Sequence, residues 1–388
     1  MNRRERVIAA LNHKEPDRVP IDVGGTHVTS ICKQSYHALR EYLGLAPKEV
    51  KMEEMFSVFG QIPLLDMELA ERLHSDVRPL SIRAGGDWKL EIKEEGDYYT
   101  FVDEWGAKLF MPKAGGHYFD YREFPIKEAS IDALKAYKWP DPADPARYAG
   151  LREEAEKLYK ETDYALAVTP LFGGGILEQG QRIMDMQEFL ISLVMNERFA
   201  DYMIGRLEEI FLEASLRVLD EVGPYVQVLV WWDDLAGQEG PLISPSTYRR
   251  LVKPRHRRIF DAIKEKADVK IFMHTCGAVY DFIPDLIETG VDILNPVQVS
   301  AFNMQDTKKL KREFGKNLVF WGGSVNPQRT LPFGSPDEVR AEVRKHIEDL
   351  APGGGYVFAS IHNIQNLVPP ENIVAMFDTA YEAGHYRK

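Results

Sequence analysis

The sequence predicts a (β/α)8 barrel with an inserted antiparallel β-hairpin, and three observations predict it. From about residue 165 onward, apolar β-type runs alternate with amphipathic helical stretches. Those runs are continuously apolar, as parallel strands buried on both faces must be. No Gly-x-Gly-x-x-Gly phosphate turn occurs, which favours a closed barrel over an open doubly wound sheet.

The runs, in order, are ALAVTPLF (165–172), YVQVLVWW (225–232), VKIFMH (269–274), VDILNPV (291–297), LVFWGGS (318–324) and GYVFAS (355–360). RVPIDVGG (18–25) adds a strand near the front, and SDVRPL (75–80) is the best place for the eighth. Helices fill the intervals. One runs from Ser246 to Lys266 after a capping SPSTY, and one spans 335–350 behind Ser-Pro-Asp-Glu, a cap followed by a first-turn proline. Asn303 to Phe314 and Pro370 to Ala383 read the same way, and MNRRERVIAALNHKEP opens the chain with an amphipathic helix ending before Pro16. WKLEIKEEGDYYTFVDEWGAKLFMP (88–112) breaks the rhythm. It alternates polar and apolar residues around EEGD, which marks a solvent-facing hairpin excursion at about 86–113 from one domain spanning 1–388. The proline-rich WPDPADPAR (139–147) leads back to the barrel.

Composition narrows the function classes. The chain has 60 acids against 48 bases, a net charge of −12, so a nucleic acid or an anionic membrane is not an expected partner. Two cysteines in 388 residues cannot build a disulfide framework, and no apolar run approaches bilayer length, so the expected setting is cytoplasmic.

Active-site residues of a barrel lie at the C-terminal ends of its strands. The polar residues at such ends are Asp22, Glu178, Asp233 with Asp234, His274 with Cys276, Asn295, and Ser360 with His362. In extended chain, residues i and i+2 project to one side, so His274-Thr-Cys276 can offer a nitrogen and a sulfur to one ion, a pairing that suits zinc. The motif is short, and two buried side chains ending a strand would look the same. His362, just past the last strand, is the better third ligand; Cys32 reads as part of an early helix.

Adjacent acids alternate sides on a strand, so at most one of Asp233 and Asp234 need face a cavity. An inward carboxylate is a base, a ligand or a clamp; the alternative is a helix cap or a salt bridge to the basic stretch 249–258. LFGGGILEQGQRIMDM (171–186) places three glycines after a strand, without the lysine of a phosphate loop. Glu178 there could reach the rim or be an ordinary first-turn acid. Phe172, Trp232 and Phe358 are candidates to line a pocket for a flat substrate, with Asp22, Asp233 and Gln238 as polar substrate contacts.

Four segments carry a resemblance: RRERVIAALNHKEPDRVPID, DDLAGQEGPLISPSTYRRLVKPRHRRIFDAIK, HTCGAVYDFIPDLIETGVDILNPVQ and HNIQNLVPPENIVAMFDTA. Together they resemble the uroporphyrinogen decarboxylase superfamily, whose fold is a (β/α)8 barrel. Uroporphyrinogen decarboxylases carry an RQAGRY-like segment near the N-terminus that holds substrate carboxylates. The corresponding VPIDVGGTHVTSICK (19–33) has no arginine. The cobalamin-dependent methyltransferase branch carries His-x-Cys and a late third zinc ligand, usually cysteine. Here that place holds His362, nine residues before Glu371.

The resemblance implies zinc held by His274, Cys276 and His362, with Asp234 or Glu178 completing the site or serving catalysis. It implies methyl transfer to or from methylcobalamin/cob(I)alamin carried by a separate corrinoid protein, because no Asp-x-His-x-x-Gly segment is present. It also points to the first methyltransferase of O-demethylase systems acting on methoxylated aromatics, with methylthiols, methylamines or thiol acceptors as other substrates, and to pairing of barrels as a homodimer. The competing functions are a metal-free uroporphyrinogen-type decarboxylase and a non-catalytic ligand-binding barrel.

Overall fold

The computed structural model, which describes residues 1–386, contains twelve strands. β1 (Ile21–Asp22) and β2 (Val77–Leu80) come first. An inserted group follows: β3 (Lys93–Glu95), β4 (Tyr98–Val102), β5 (Lys108–Pro112) and β6 (Asp120–Glu123). Then come β7 (Ala165–Val168), β8 (Val228–Trp232), β9 (Lys270–His274), β10 (Ile293–Asn295), β11 (Val319–Trp321) and β12 (Tyr356–Ala359). The eight strands outside the insertion pair in parallel in the order β1-β12-β11-β10-β9-β8-β7-β2. All eight lie within the runs read from the sequence, and with helices between them they make the predicted (β/α)8 barrel.

The seam between β1 and β2 is closed partly by side chains. Asp76 N–H donates to the Ile21 carbonyl at 2.7 Å, and Ile21 N–H donates to the Asp76 carboxylate at 2.8 Å. Val23 N–H reaches Ser75 Oγ at 3.3 Å.

Strand alternation sorts the core into two layers. Val77, Ala167, Val230, Phe272, Ile293 and Trp321 fill the barrel interior, plugged by Val7, Ala10 and Leu11 of the first helix, Arg3–Leu11. Their sequence neighbours Leu166, Leu229, Ile271, Leu294 and Phe320 face the surrounding helices. Each large side chain so buried contributes about 1.5–3 kcal/mol.

Helices 336–350 and 370–383 begin and end where the sequence predicts, the first with a capping box between Ser335 and Glu338, the second with Pro370 at its first turn and no side-chain cap. The helix expected from Asn303 starts at Thr307 instead, because Asn303 is left-handed (φ 60°) and Asp306 caps Lys309 N–H at 2.8 Å. The helix expected over 246–266 is interrupted by a wide π turn at Tyr248–Val252, next to Pro254, which has no N–H to give.

The insertion needs the larger correction. It is a four-stranded antiparallel sheet, β3-β4-β5-β6, not a two-stranded hairpin. β6 escaped the pattern reading because DYRE has no apolar alternation, and it joins β5 through an irregular register at Lys108/Leu109. The sheet has its own small core of Phe101, Leu109, Met111 and Phe119.

Candidate active site

β9 ends on His274, in register with Trp232 of β8 and Asn295 of β10. The Asn295 amide nitrogen donates to the Trp321 carbonyl at 2.8 Å, which turns Oδ1 toward the imidazole. His274 Nδ1–H donates to that oxygen at 2.5 Å. The tautomer follows: Nε2 carries a free lone pair, the usual way a second partner orients a ligating histidine. Burial lowers the His274 pKa to about 4, with the Asn295 bond opposing, so the ring stays neutral.

Two residues on, Cys276 Sγ lies 3.3 Å from His274 Nε2. Cys276 N–H donates to Asp234 Oδ1 at 2.8 Å. Gly277 is obligatory: its φ is 86°, and a Cβ there would sit 2.3 Å from the Gly237 carbonyl oxygen. Burial, then the nearby Asp234 and Glu178 carboxylates, push the Cys276 thiol pKa well up. A thiol among acids is held protonated unless a cation offsets them.

His362, in the loop after β12, completes the group. The donor atoms of His274, Cys276 and His362 all lie within 4.8 Å of one another. The His362 backbone is left-handed (φ 68°), a conformation that costs a non-glycine residue about 1–3 kcal/mol and is typical of functional sites. Burial and then the neighbouring His274 ring lower its pKa to about 4, with the Asn363 side chain opposing. Two neutral imidazoles and a thiol match the donor set of a zinc site.

His362 and Trp232 open onto a cavity of about 340 Å³, within the small-molecule range. The inserted sheet forms its roof through Phe101, Asp103, Trp105, Leu109, Tyr118 and Tyr121. Phe59, Phe172 and Trp88 add to the walls. The Trp232 indole stands edge-on to the His274 ring, with centroids 4.8 Å apart. The excursion is therefore a lid on the barrel mouth.

Glu178 and Arg182 stand one turn apart on helix Ile176–Ile183. Arg182 donates to the Gly173 carbonyl at 2.6 Å and to Glu178 at 3.1 Å, with its guanidinium 5.4 Å from the Trp232 ring centre. Burial pushes the Glu178 pKa up to about 7, opposed by Arg182 and helped by Asp234. Asp234 is pushed to about 6 by burial, opposed by Cys276 N–H and Arg182. Asp103, on the lid, is pushed to about 7 by burial against the Ala107 N–H and Arg182.

The structure thus gathers His274, Cys276, His362, Asp234, Glu178, Trp232 and Phe172 at one mouth. Four expected substrate contacts do not line the cavity. Phe358 points outward and packs 6.1 Å from Phe377, because alternation gives the interior to its neighbours Val357 and Ala359. Asp233 is saturated: it accepts from Leu177 N–H, Glu178 N–H, Trp231 Nε1–H and His256 Nε2 at 2.7–2.8 Å, so it caps the helix that carries Glu178. Gly175 is small for the same reason, since a Cβ would meet Asp233 at 2.5 Å. Asp22 is fully buried, accepting from Gly25 N–H and Trp321 Nε1–H. Gln238 supports the Cys276 loop by accepting from Gln298, whose own Oε1 receives Gly277 N–H. Arg182, Asp103, Tyr118 and Tyr121 were missed. Only Arg182 left a signal, the i,i+4 spacing from Glu178 on a helix starting at the three glycines.

With this geometry in place, comparison with known proteins is informative. The uroporphyrinogen decarboxylase (URO-D) family model matches residues 97–383, and the chain belongs to that family. A uroporphyrinogen decarboxylase of Thioalkalivibrio sulfidiphilus is 25% identical over 306 residues, 74% of this chain and 78% of that one. One from Shewanella loihica is 24% identical over 306 residues, 75% and 78% of the two chains. Among solved structures, a methyltransferase from Methanosarcina mazei superposes with a TM-score of 0.65 at 18% identity, covering 98% of this chain and 99% of its own. That likeness establishes the shared fold. Among the described residues, no helix is long and apolar enough to cross a membrane.

Proposed function

We propose that the chain is a zinc-dependent methyltransferase. It moves a methyl group from a small methylated substrate, best an aryl methyl ether, to the cobalamin of a separate corrinoid protein. The observation that carries this reading is the convergence of His274, Cys276 and His362 beside a largely aromatic cavity. Three protein donors leave a coordination position open, the arrangement of a catalytic zinc site. Zinc supplies, when bound, a Lewis acid that lowers the energy of the oxygen or sulfur anion at the reacting centre.

The chain's own residues do the rest. His274 Nε2 is kept unprotonated and aimed by Asn295, and Cys276 Sγ would hold the ion as its thiolate. Asp234 fixes the Cys276 loop through the amide bond, and Glu178, near neutrality in pKa, can hold or return a proton at its carboxyl oxygen. Trp232, Phe172 and Phe59 take up a flat ring, and the inserted sheet excludes water.

The decarboxylase reading is favoured by the names of the relatives. Against it stands the lack of arginine in residues 19–33; of the three cavity arginines, Arg147 and Arg182 are already paired with Glu104 and Glu178, which leaves Arg83 as the one without a carboxylate partner among the described residues. The test is methyl transfer to free cob(I)alamin from a panel of methoxylated aromatics, read as methylcobalamin. Turnover that disappears with chelation supports the reading. Failure with every aryl ether removes that substrate class, and decarboxylation of uroporphyrinogen would replace the reading outright.

A further inference from the structure

Tyr118 belongs to the lid, yet its hydroxyl meets the loop that carries His362. Asn363 Nδ2 donates to the phenol oxygen at 3.0 Å, and Gln365 Nε2 donates to it as well. Gln365 Nε2 also faces Asn363 Oδ1 at 3.2 Å and the Asn363 carbonyl at 3.3 Å, two acceptors that suit its NH2 end. Asn363 Oδ1 is thereby the acceptor, and Nδ2 faces Tyr118 and Cys32.

Two N–H donors occupy the phenol oxygen's lone pairs, so Tyr118 must use its own hydrogen as a donor. Among the described residues the acceptor in reach is Cys32 Sγ at 3.7 Å, a weak one that already receives Asn363 Nδ2–H at 3.0 Å. Tyr118 also lines the cavity. A donor with no good protein acceptor, on the wall of an aromatic pocket, calls for an acceptor on the ligand.

We infer that Tyr118 is a substrate-binding residue that donates its O–H to an oxygen of the bound aromatic, so the pocket selects oxygen-substituted rings over isosteric hydrocarbons. This rests on the aryl ether reading of the cavity, and the test keeps the two apart. The probes are anisole and ethylbenzene, which differ only by an ether oxygen in place of a methylene. Their binding to the zinc-loaded protein is measured by calorimetry, with no corrinoid present.

The wild type should prefer anisole by about five- to tenfold, the effect of one net hydrogen bond. Tyr118→Phe should lose that preference through weaker anisole binding, with ethylbenzene affinity and zinc content unchanged. Cys32→Ala, which removes the competing sulfur, should keep or enlarge it. If Tyr118→Phe retains the full preference, the oxygen is recognised elsewhere and the inference is overturned while the aromatic reading stands. If the wild type binds both probes equally, the same holds. If it binds neither, the aromatic reading falls and takes the inference with it.

Discussion

At the N-terminal end of the barrel, buried Asp76 meets two arginines; at the C-terminal end, Glu178, Asp234 and Asp103 crowd around one. Asp76 accepts from Arg6 at 2.9 Å, from both terminal nitrogens of Arg18 at 2.8 and 2.9 Å, and from Ile21 N–H at 2.8 Å. Every lone pair has a partner, and the cluster ties the plugging helix to the β1/β2 seam. At the other end, burial outweighs the attraction of Arg182, and all three acids are pushed toward neutrality in pKa. Complete pairing stabilises. Incomplete pairing leaves carboxyls able to exchange protons near physiological pH, and an excess of negative charge that a metal cation would relieve. The difference matches the division of labour in this fold, with stability at the bottom and chemistry at the top.

The largest effect is expected from breaking the paired end. Asp76→Ala strands the buried Arg18 guanidinium, leaves Arg6 with Asp17 as its one carboxylate partner, and should cost about 3–5 kcal/mol in chemical denaturation. The folded fraction should keep its metal. A loss under 1 kcal/mol would mean that the seam does not depend on this cluster. Next comes the unpaired end. His274→Ala and Cys276→Ser should each abolish stoichiometric zinc and lower methyl transfer by at least about a hundredfold, worth roughly 3 kcal/mol of transition-state stabilisation. Cys276→Ser, nearly isosteric, should leave the metal-free stability within about 1 kcal/mol of the metal-free wild type, whereas His274→Ala removes a buried ring, orphans Asn295 Oδ1 and should cost about 1–3 kcal/mol. Unfolding of either variant would blur the contrast between the ends. Metal-free protein from the wild type would erase it.

How much of this could be read beforehand depends on what each residue owes to local pattern. The eight barrel strands are legible because burial on both faces demands long apolar runs. That same feature hides parity: in GYVFAS nothing distinguishes Phe358, which faces the helices, from Val357, which faces inward. His274 and Cys276 are legible because i, i+2 spacing alone puts them on one side, and His362 because strand order brings the last loop round to the same rim. Asn295 was visible as a polar strand end, but its control of the His274 tautomer depends on the Trp321 carbonyl of the next strand. Tyr118, Tyr121 and Asp103 were illegible. They reach the mouth only because an inserted sheet folds over it, a long-range placement that no local periodicity encodes.

The smallest effect is the one that tests the underpaired end most directly. Asp103 Oδ1 accepts from Trp105 N–H at 3.0 Å and Ala107 N–H at 2.8 Å, and Asp103→Asn preserves that acceptor. What it removes is the titration. The folded-state pKa is raised from 3.8 to about 7, so below about pH 4 the acid is protonated in both states and costs nothing. As pH climbs from there toward 7, the unfolded chain sheds the proton that the folded protein retains, and stability falls. Above 7 the folded protein ionises too and the cost levels off. Asp103→Asn escapes this cost. It should match the wild type near pH 4 and exceed it by about 1–2 kcal/mol near pH 8, the full shift being discounted because the side chain is partly exposed. Urea denaturation at the two pH values measures the difference. Equal stability at both would show that Arg182 compensates Asp103 as fully as Arg6 and Arg18 compensate Asp76, and the two ends of the barrel would then treat buried charge alike.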